Sequence, residues 1–332
     1  MTARRPPPGR KPLVDRVLSW IHSPSVESWE HLALAVHRWQ HQHSSVIRAL
    51  CPEPAQSWDA IPPIPVELYR DVEVGTVPAD GAPIAFHTSG TTQGRSGVHR
   101  LWSTELYDRG SLAWTEQCLG ALPTRVAATL EDPQTAPSSS LAHMVSLWSP
   151  SDTSWHVKDA TLDVASLNAR AAPGKGPLFV ATTAFALVQW LDAGACRLPP
   201  DSRVMVTGGF KGRVQAVDEH ALYQRAAGVL GAEIVTEYGM TELSSQLWST
   251  PGEPYRPPPW LRARAIDPLT RQPCPVGTPG QLQFFDLANL DSSLAVQTGD
   301  YGSVDAEGRV RLMGRVPRSD VRGCSLTVEQ NR

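Results

Sequence analysis

Apolar residues along the chain fall into three textures. From Val14 to about Leu50, the positions Val14, Val17, Leu18, Ile21, Leu32, Leu34, Val36, Trp39, Val46 and Ile47 recur at mixed three- and four-residue steps. That spacing gathers side chains on one helical face, and it predicts two short amphipathic helices. Residues 1–12 before them are rich in Pro and Arg, show no periodicity, and read as a disordered tail. In IPPIPVELYRDVEV, which follows, Pro62, Pro63 and Pro65 remove backbone donors and predict an extended segment over the surface.

From Ala82 onward short apolar runs alternate with longer helical stretches. The pattern predicts strands at Ile84–His87, Val126–Leu130, Pro177–Ala181, Val204–Thr207 and Glu233–Glu237. Helices are predicted near Thr104–Leu119, Leu162–Arg170, Ala184–Ala193 and Val214–Val229. Such alternation implies an α/β fold, a mainly parallel sheet covered by helices on both faces, with ligands beyond the carboxyl ends of the strands. After Tyr238 prolines crowd residues 251–279 and the runs WLRARAI, QLQFF and RVRLM are short and separated by turns. A β-rich subdomain over about 246–315, either a small barrel or a distorted sheet, is expected.

Length and composition narrow the classes. With 332 residues and 41% apolar content, one large α/β unit with a small appendage is expected over 13–315, followed by a tail at 316–332. The net charge of -3 gives no electrostatic reason to expect nucleic acid or an anionic membrane as partner. No apolar run approaches the roughly 20 residues of a membrane span. The basic start MTARRPPPGRK leads into VDRVLSWIHS rather than a secretory core, so a cytoplasmic location is expected. The five cysteines are scattered singly, which argues against a structural zinc and suits a reducing compartment.

Candidate chemistry concentrates in a few segments. TSGTTQGRSG, Thr88 to Gly97, follows the predicted strand Ile84–His87. The donors of Thr88, Ser89, Gly90, Thr91 and Thr92, with the charge of Arg95, suit a loop wrapped around phosphate. A flexible linker has the same composition, and it lacks the Gly-Lys-Ser/Thr of a P-loop. In EYGMTE, Tyr238 offers a ring for adenine, Thr241 a hydroxyl for an α-phosphate, and Glu242 a hard oxygen for Mg²⁺. Asp300 of TGDYG has the carboxylate needed to accept from two ribose hydroxyls, and Arg315 brings a permanently charged donor fork.

These segments, in this order, resemble the signatures of the adenylate-forming superfamily of acyl-CoA synthetases, adenylation domains and firefly-type luciferases. Their loop usually reads TSGTTGxPKG, matched here by Thr88 to Thr92 and Gly97, while Gln93, Arg95 and Ser96 depart from it. YGxTE is matched by Tyr238 to Glu242, and TGD…DxxGxxxxxGR by the stretch from Thr298 to Arg315. The resemblance implies that Gly208 and Gly209 of TGGFKGR line the adenine and acyl pockets, and that His143 of SSSLAHM stands beside the acyl group. It also implies the large N-terminal domain of that superfamily, with ATP and Mg²⁺ used to activate a carboxylic acid.

From about Trp58 to the end, the pattern is similar to the LuxE-type acyl-protein synthetases of the bacterial luciferase operon. Seventeen residues follow Arg315, too few for a domain with its own core, so the lysine-bearing mobile domain of other superfamily members is not expected in this chain. LuxE-type enzymes pass the acyl group from acyl-AMP to a cysteine of their own near the C-terminus, for a reductase partner to accept. Cys324 in RGCSL occupies that position, and a thiol attacking acyl-AMP keeps most of the activation as a thioester. Transfer to coenzyme A or to a carrier protein's phosphopantetheine, an ATP-independent transacylase, and a non-catalytic nucleotide-binding partner of a complete synthetase stand as alternatives.

Overall fold

A computed structural model describes residues 5–24, 27–88, 96–172, 174–208 and 219–316. The N-terminal third contains α1 (Arg10–His22), α2 (Trp29–His43), α3 (Ser45–Leu50), β1 (Ile64–Pro65), β2 (Ile84–His87), β3 (Val98–Leu101) and α4 (Glu105–Leu119). The middle follows as β4 (Val126–Glu131), α5 (Ser140–Trp148), β5 (Thr153–Lys158), β6 (Thr161–Leu162), α6 (Val164–Arg170), β7 (Phe179–Thr183), α7 (Ala184–Asp192), β8 (Arg203–Thr207), α8 (Glu219–Leu230) and β9 (Glu233–Tyr238). The chain continues with β10 (Leu247–Ser249), β11 (Leu261–Ile266), β12 (Gly280–Asp286), β13 (Ala295–Val304) and β14 (Val310–Arg315).

The α/β fold with a mainly parallel sheet is present. A seven-stranded sheet runs β10-β9-β8-β7-β4-β5-β6, parallel from β9 through β5, with β10 and β6 antiparallel at its edges. Its central strands are apolar on both faces because helices cover both. On one face Val126, Ala128, Phe179, Ala181, Met205 and Val235 pack against residues of α1, α2, α4 and α5. On the other, Ala127, Val180, Val204 and Ile234 meet Leu167, Leu187, Trp190, Leu222 and Ala226 from α6, α7 and α8. Polar caps fix where several helices begin: the Ser139, Asp163 and Thr183 side chains accept from the backbone N–H three residues on.

A second sheet of five strands follows β1-β13-β12-β11, with β14 also on β13, and carries register shifts in β12 and β13. It is open rather than a closed barrel, which resolves the β-rich subdomain in favour of a distorted sheet. Leu243, Leu247, Leu282, Phe284 and Val296 form its apolar contact.

Several expectations need correction. The helical start contains three helices instead of two, because Ser44 ends α2 and caps α3. Helix α1 begins at Arg10, inside the predicted tail, where Arg10 makes two 2.7 Å contacts to the buried Asp291. The Pro-rich segment does not run over the surface. Ile64, Tyr69 and Val74 are buried, and β1 lies parallel to Val296–Gln297, a short edge pairing that Pro65 tolerates. Strand β2 lies outside the parallel sheet and pairs with β3 as a separate antiparallel hairpin. Leu162 belongs to β6, and the predicted start of α8 at Val214 lies outside the described residues.

Candidate functional site

Of the predicted residues, Tyr238, Asp300 and Arg315 meet where the two sheets adjoin. β8 and β9 end side by side, with Thr207 opposite Glu237, so Gly208 lies next to Tyr238 beyond the carboxyl ends. Gly208 has φ 69°, a conformation that favours glycine, and among the described residues nothing stands within 4 Å of where a Cβ would fall. From the other sheet comes Asp300 of β13, whose Oδ2 accepts a 2.8 Å hydrogen bond from the Tyr238 hydroxyl. Arg315, on the adjoining strand β14, pairs opposite Asp300 and brings its Nε to 3.3 Å from Oδ1. Thr298 Oγ1 accepts from the Asp300 N–H at 3.0 Å, fixing the bend of the strand.

Tyr238, Asp300 and Arg315 therefore form one contact line across the seam. The Tyr238 ring packs 5.7 Å from Phe284 and 5.9 Å from Tyr255, which sets its plane. Burial, then the charge of Asp300, hold its phenol well above the ordinary range. Arg315 remains 62% exposed, open to a ligand from solvent.

The turn after Tyr238 carries Thr241 and Glu242. Glu242 is 8% exposed and lies near enough to Tyr69 and Tyr238 to raise both phenols. The turn is held from below by the buried segment between β12 and β13. Asn289 Nδ2 donates to the Glu242 carbonyl at 2.9 Å, while Ser244 N and Ser245 Oγ donate to the two oxygens of Asp286 at 3.1 and 2.8 Å. Burial pushes Asp286 up to about 6, against the pull of these hydrogen bonds. Among the described residues, no group of three or more His, Cys, Asp or Glu side chains is placed to hold a metal ion. A lone carboxylate such as Glu242 could serve a Mg²⁺ site of the kind in which one or two carboxylates work with substrate phosphates.

The segment predicted to hold phosphate connects β2 to β3, which pair as an antiparallel hairpin. Thr88 and Gly97 clasp its base: Gly97 N donates to Thr88 Oγ1 at 2.9 Å and Thr88 N to the Gly97 carbonyl at 3.0 Å. Ser89, Gly90, Thr91, Thr92 and Arg95 lie outside the described residues, as do Gly209 and Cys324. The clasp rests on Tyr69, whose Cβ is 3.3 Å from where a Cβ on Gly97 would fall. Tyr69 in turn meets His99 of β3 with ring centroids 6.3 Å apart. Burial pushes His99 down to about 4, opposed by the Thr241 backbone and the Asn289 amide. Hairpin, turn and second sheet thus share one buried layer.

His143 sits on α5 with Nε2 2.7 Å from Asp108 Oδ1, and Thr104 Oγ1 donates to the other Asp108 oxygen at 2.8 Å. Its ring packs 5.4 Å from Phe86 and 5.6 Å from Tyr107. Burial, then the charges of Glu237 and Asp108, push the Tyr107 phenol up, so the His143 cluster lies within electrostatic reach of the end of β9. Glu237 itself was missed by the sequence reading. It is 4% exposed, accepts from the Thr207 hydroxyl, and is pushed up to about 7 by burial. A Cβ at Gly239 would come 2.5 Å from Glu237 Oε1, so a larger residue there would displace that carboxyl from its present position. The signal was the acidic residue next to the Tyr-Gly pair. A separate groove of about 580 Å³ on the five-stranded sheet, bordered by Trp58, Pro258, Arg262, Val276 and Glu307, contains none of the predicted site residues.

Comparison with solved structures defines the fold. ATP-bound MatB from Rhodopseudomonas palustris matches with a TM-score of 0.50 and 18% identity, over 72% of this chain and 49% of its own. MenE from Bacillus subtilis, solved with ATP and magnesium ion, matches at 0.52 and 18% identity, over 74% and 52%. The N-terminal subdomain of NpsA from Klebsiella oxytoca matches at 0.51 and 15% identity, over 73% and 65%. The chain has the fold of the N-terminal domain of adenylate-forming enzymes and spans about half the length of MatB and MenE.

Two sequence comparisons point to LuxE-type proteins, each over part of the chain. The family model described as "Acyl-protein synthetase, LuxE" matches residues 183–332. The long-chain-fatty-acid–luciferin-component ligase of Vibrio harveyi is 34% identical over 79 residues, 22% of this chain and 21% of that relative. No helix among the described residues is long and apolar enough to cross a membrane.

Proposed function

We propose that this protein joins a carboxylic acid to ATP, with Mg²⁺, as an acyl adenylate and transfers the acyl group to its own Cys324 for delivery to a partner protein. The observation that carries the reading is the Tyr238–Asp300–Arg315 line across the seam, beside Gly208. In the first step a carboxylate oxygen attacks the α-phosphorus and the bond to pyrophosphate breaks. Asp300 is suited to accept from the ribose hydroxyls, and the exposed Arg315 fork to reach ribose or phosphate. Thr241 would donate to the α-phosphate. Glu242 would hold Mg²⁺, which when bound neutralises charge on the phosphate oxygens. His143, fixed by Asp108, would stand beside the acyl group.

In the second step the Cys324 sulfur, its proton released to solvent, attacks the acyl carbonyl carbon, and the carbon–oxygen bond to AMP breaks. The LuxE match over residues 183–332 supports this route, and the name of the Vibrio harveyi relative makes long-chain acids the first panel to try. The acceptor would be a reductase or carrier protein, with coenzyme A as the competing thiol.

The test is carboxylate-dependent exchange of pyrophosphate into ATP across a panel of acids. Exchange is expected for at least one acid, and its absence with every acid would leave a nucleotide-binding or ATP-independent role instead. Labelled acid retained after denaturation, released by hydroxylamine and lost in Cys324→Ser, is the expected result for self-acylation. Label undiminished in that variant would move the acceptor elsewhere.

A further inference from the structure

The buried connection Asp286–Ser293 has the composition of a surface loop, yet Asp286, Asn289 and Ser292 are wholly buried and Asp291 and Ser293 nearly so. Burying that many polar atoms is tolerable only when each is satisfied, and the partners chosen here are informative. Asn289 donates to the Glu242 carbonyl at 2.9 Å and to the Ser293 carbonyl at 2.7 Å, and its Oδ1 accepts from Ser244 Oγ at 3.0 Å. Asp286 accepts from Ser244 N, Ser245 Oγ and Ala288 N at 3.1, 2.8 and 3.0 Å. Two residues beyond Asn289, Asp291 accepts from Trp102 N at 2.9 Å, immediately after β3. One short segment therefore grips both the turn bearing Glu242 and the outgoing strand of the hairpin. Gln40 of α2 makes the segment stiff, donating to the Asn289 and Leu290 carbonyls and accepting from Leu294 N.

We infer that Asp286, Asn289 and Asp291 are positioning residues that fix the Glu242 turn relative to the phosphate-loop hairpin, so that Asn289 acts on bound Mg·ATP through the Glu242 backbone. The second half rests on the proposed function, whereas the first is a property of the protein alone. A hydrogen-bonded support behind a metal-binding group commonly contributes about tenfold or more to metal affinity.

The experiment compares Asn289→Asp and Asn289→Ala in the full chain. Asn289→Asp keeps the volume but cannot donate to two carbonyls. Without any ligand, amide hydrogen exchange across residues 240–246 should accelerate about tenfold in both variants, while β7 and β8 exchange as before. By calorimetry, the Mg²⁺ concentration giving half-maximal binding of a non-hydrolysable ATP analogue should rise about tenfold in both. Trp190→Phe, in the core on the opposite face of the parallel sheet, is the control. It should lower the melting temperature without moving either readout. Unchanged exchange at 240–246, an Asn289→Asp variant that behaves like the parent, or a Trp190→Phe variant that shifts Mg²⁺ equally would each overturn the inference. A parent protein that binds no Mg·ATP would defeat the functional reading, and the exchange experiment would still decide the frame.

Discussion

The two sheets handle polar groups in opposite ways. In the seven-stranded sheet the first half of each central strand buries Ala, Val, Ile, Met or Phe, and the buried Thr129, Thr182, Thr207, Thr236 and Glu237 come towards the carboxyl ends. In the five-stranded sheet polar groups run through the middle: Arg264 Nε donates to Gln283 at 2.7 Å, and Gln283 donates to Gln297 at 3.0 Å, with both glutamines buried. A sheet sandwiched between helices has few partners for interior polar atoms beyond neighbouring hydroxyls, as where Thr129 Oγ1 donates to Thr182 Oγ1 at 2.7 Å, so it offers ligands chiefly its ends. An antiparallel sheet with a bracing network can satisfy them, and the seam between the two holds Tyr238 from one and Asp300 from the other. The first sheet presents the site and the second holds it in register.

That division can be broken or sharpened by substitution. On the apolar side, Trp190→Ala empties a fully buried site and removes the indole hydrogen bond to Asn168, and should lower stability by about 3–5 kcal/mol in urea unfolding. A loss under 1 kcal/mol would mean that the helix-covered face is loosely packed.

At the strand end, Glu237 tests the boundary through pH. The unfolded chain releases this proton near 4.5, while the folded chain holds it to about 7. Its contribution is therefore fully present below about 4.5 and is lost as pH rises towards 7. Buried His37 and His99, pushed down to about 4, give stability that rises with pH over part of the same window. The informative quantity is thus the difference between parent and Glu237→Gln. Relative to the variant, the parent should lose up to about 3 kcal/mol between pH 4.5 and 7. A flat difference would show that Glu237 ionises normally.

Glu242→Gln at the seam should cut pyrophosphate exchange about a hundredfold, near 2.7 kcal/mol of barrier, because a neutral amide is a poor Mg²⁺ ligand. Exchange equal to the parent's at limiting Mg²⁺ would remove Glu242 from the site. The smallest effect is expected at the exposed rim. Arg315→Ala should change unfolding stability by less than about 1 kcal/mol, since an ion pair this open to solvent is weak. A larger loss in chemical denaturation would make Arg315 part of the bracing.

The same contrast explains what the sequence reveals. Val204–Thr207 and Glu233–Glu237 lie almost where their apolar runs predict, because a doubly covered strand needs continuous hydrophobicity. Thr153–Lys158 was overlooked since its side chains are mostly half-exposed and mixed in character. Helix α5 was hidden by the serines that cap it. In the site, the Tyr-Gly-Met-Thr-Glu and Thr-Gly-Asp segments are legible as motifs, and the structure joins Tyr238 to Asp300 as they suggest. The support behind them is illegible: DLANLDSS has a loop's composition, and its burial arises from partners as distant as Gln40 and Arg10.

The Arg10–Asp291 clamp has a practical corollary. The first turn of α1 looks dispensable, lying ahead of every motif, yet its guanidinium is the counter-ion of a carboxylate sealed 3% from solvent. A shortened version begun at residue 12 would leave that carboxylate charged without its counter-ion, or force it to take up a proton, beside the exit of the hairpin. Trimming for crystallisation should therefore stop short of Pro8, whose carbonyl also accepts from the Trp39 indole.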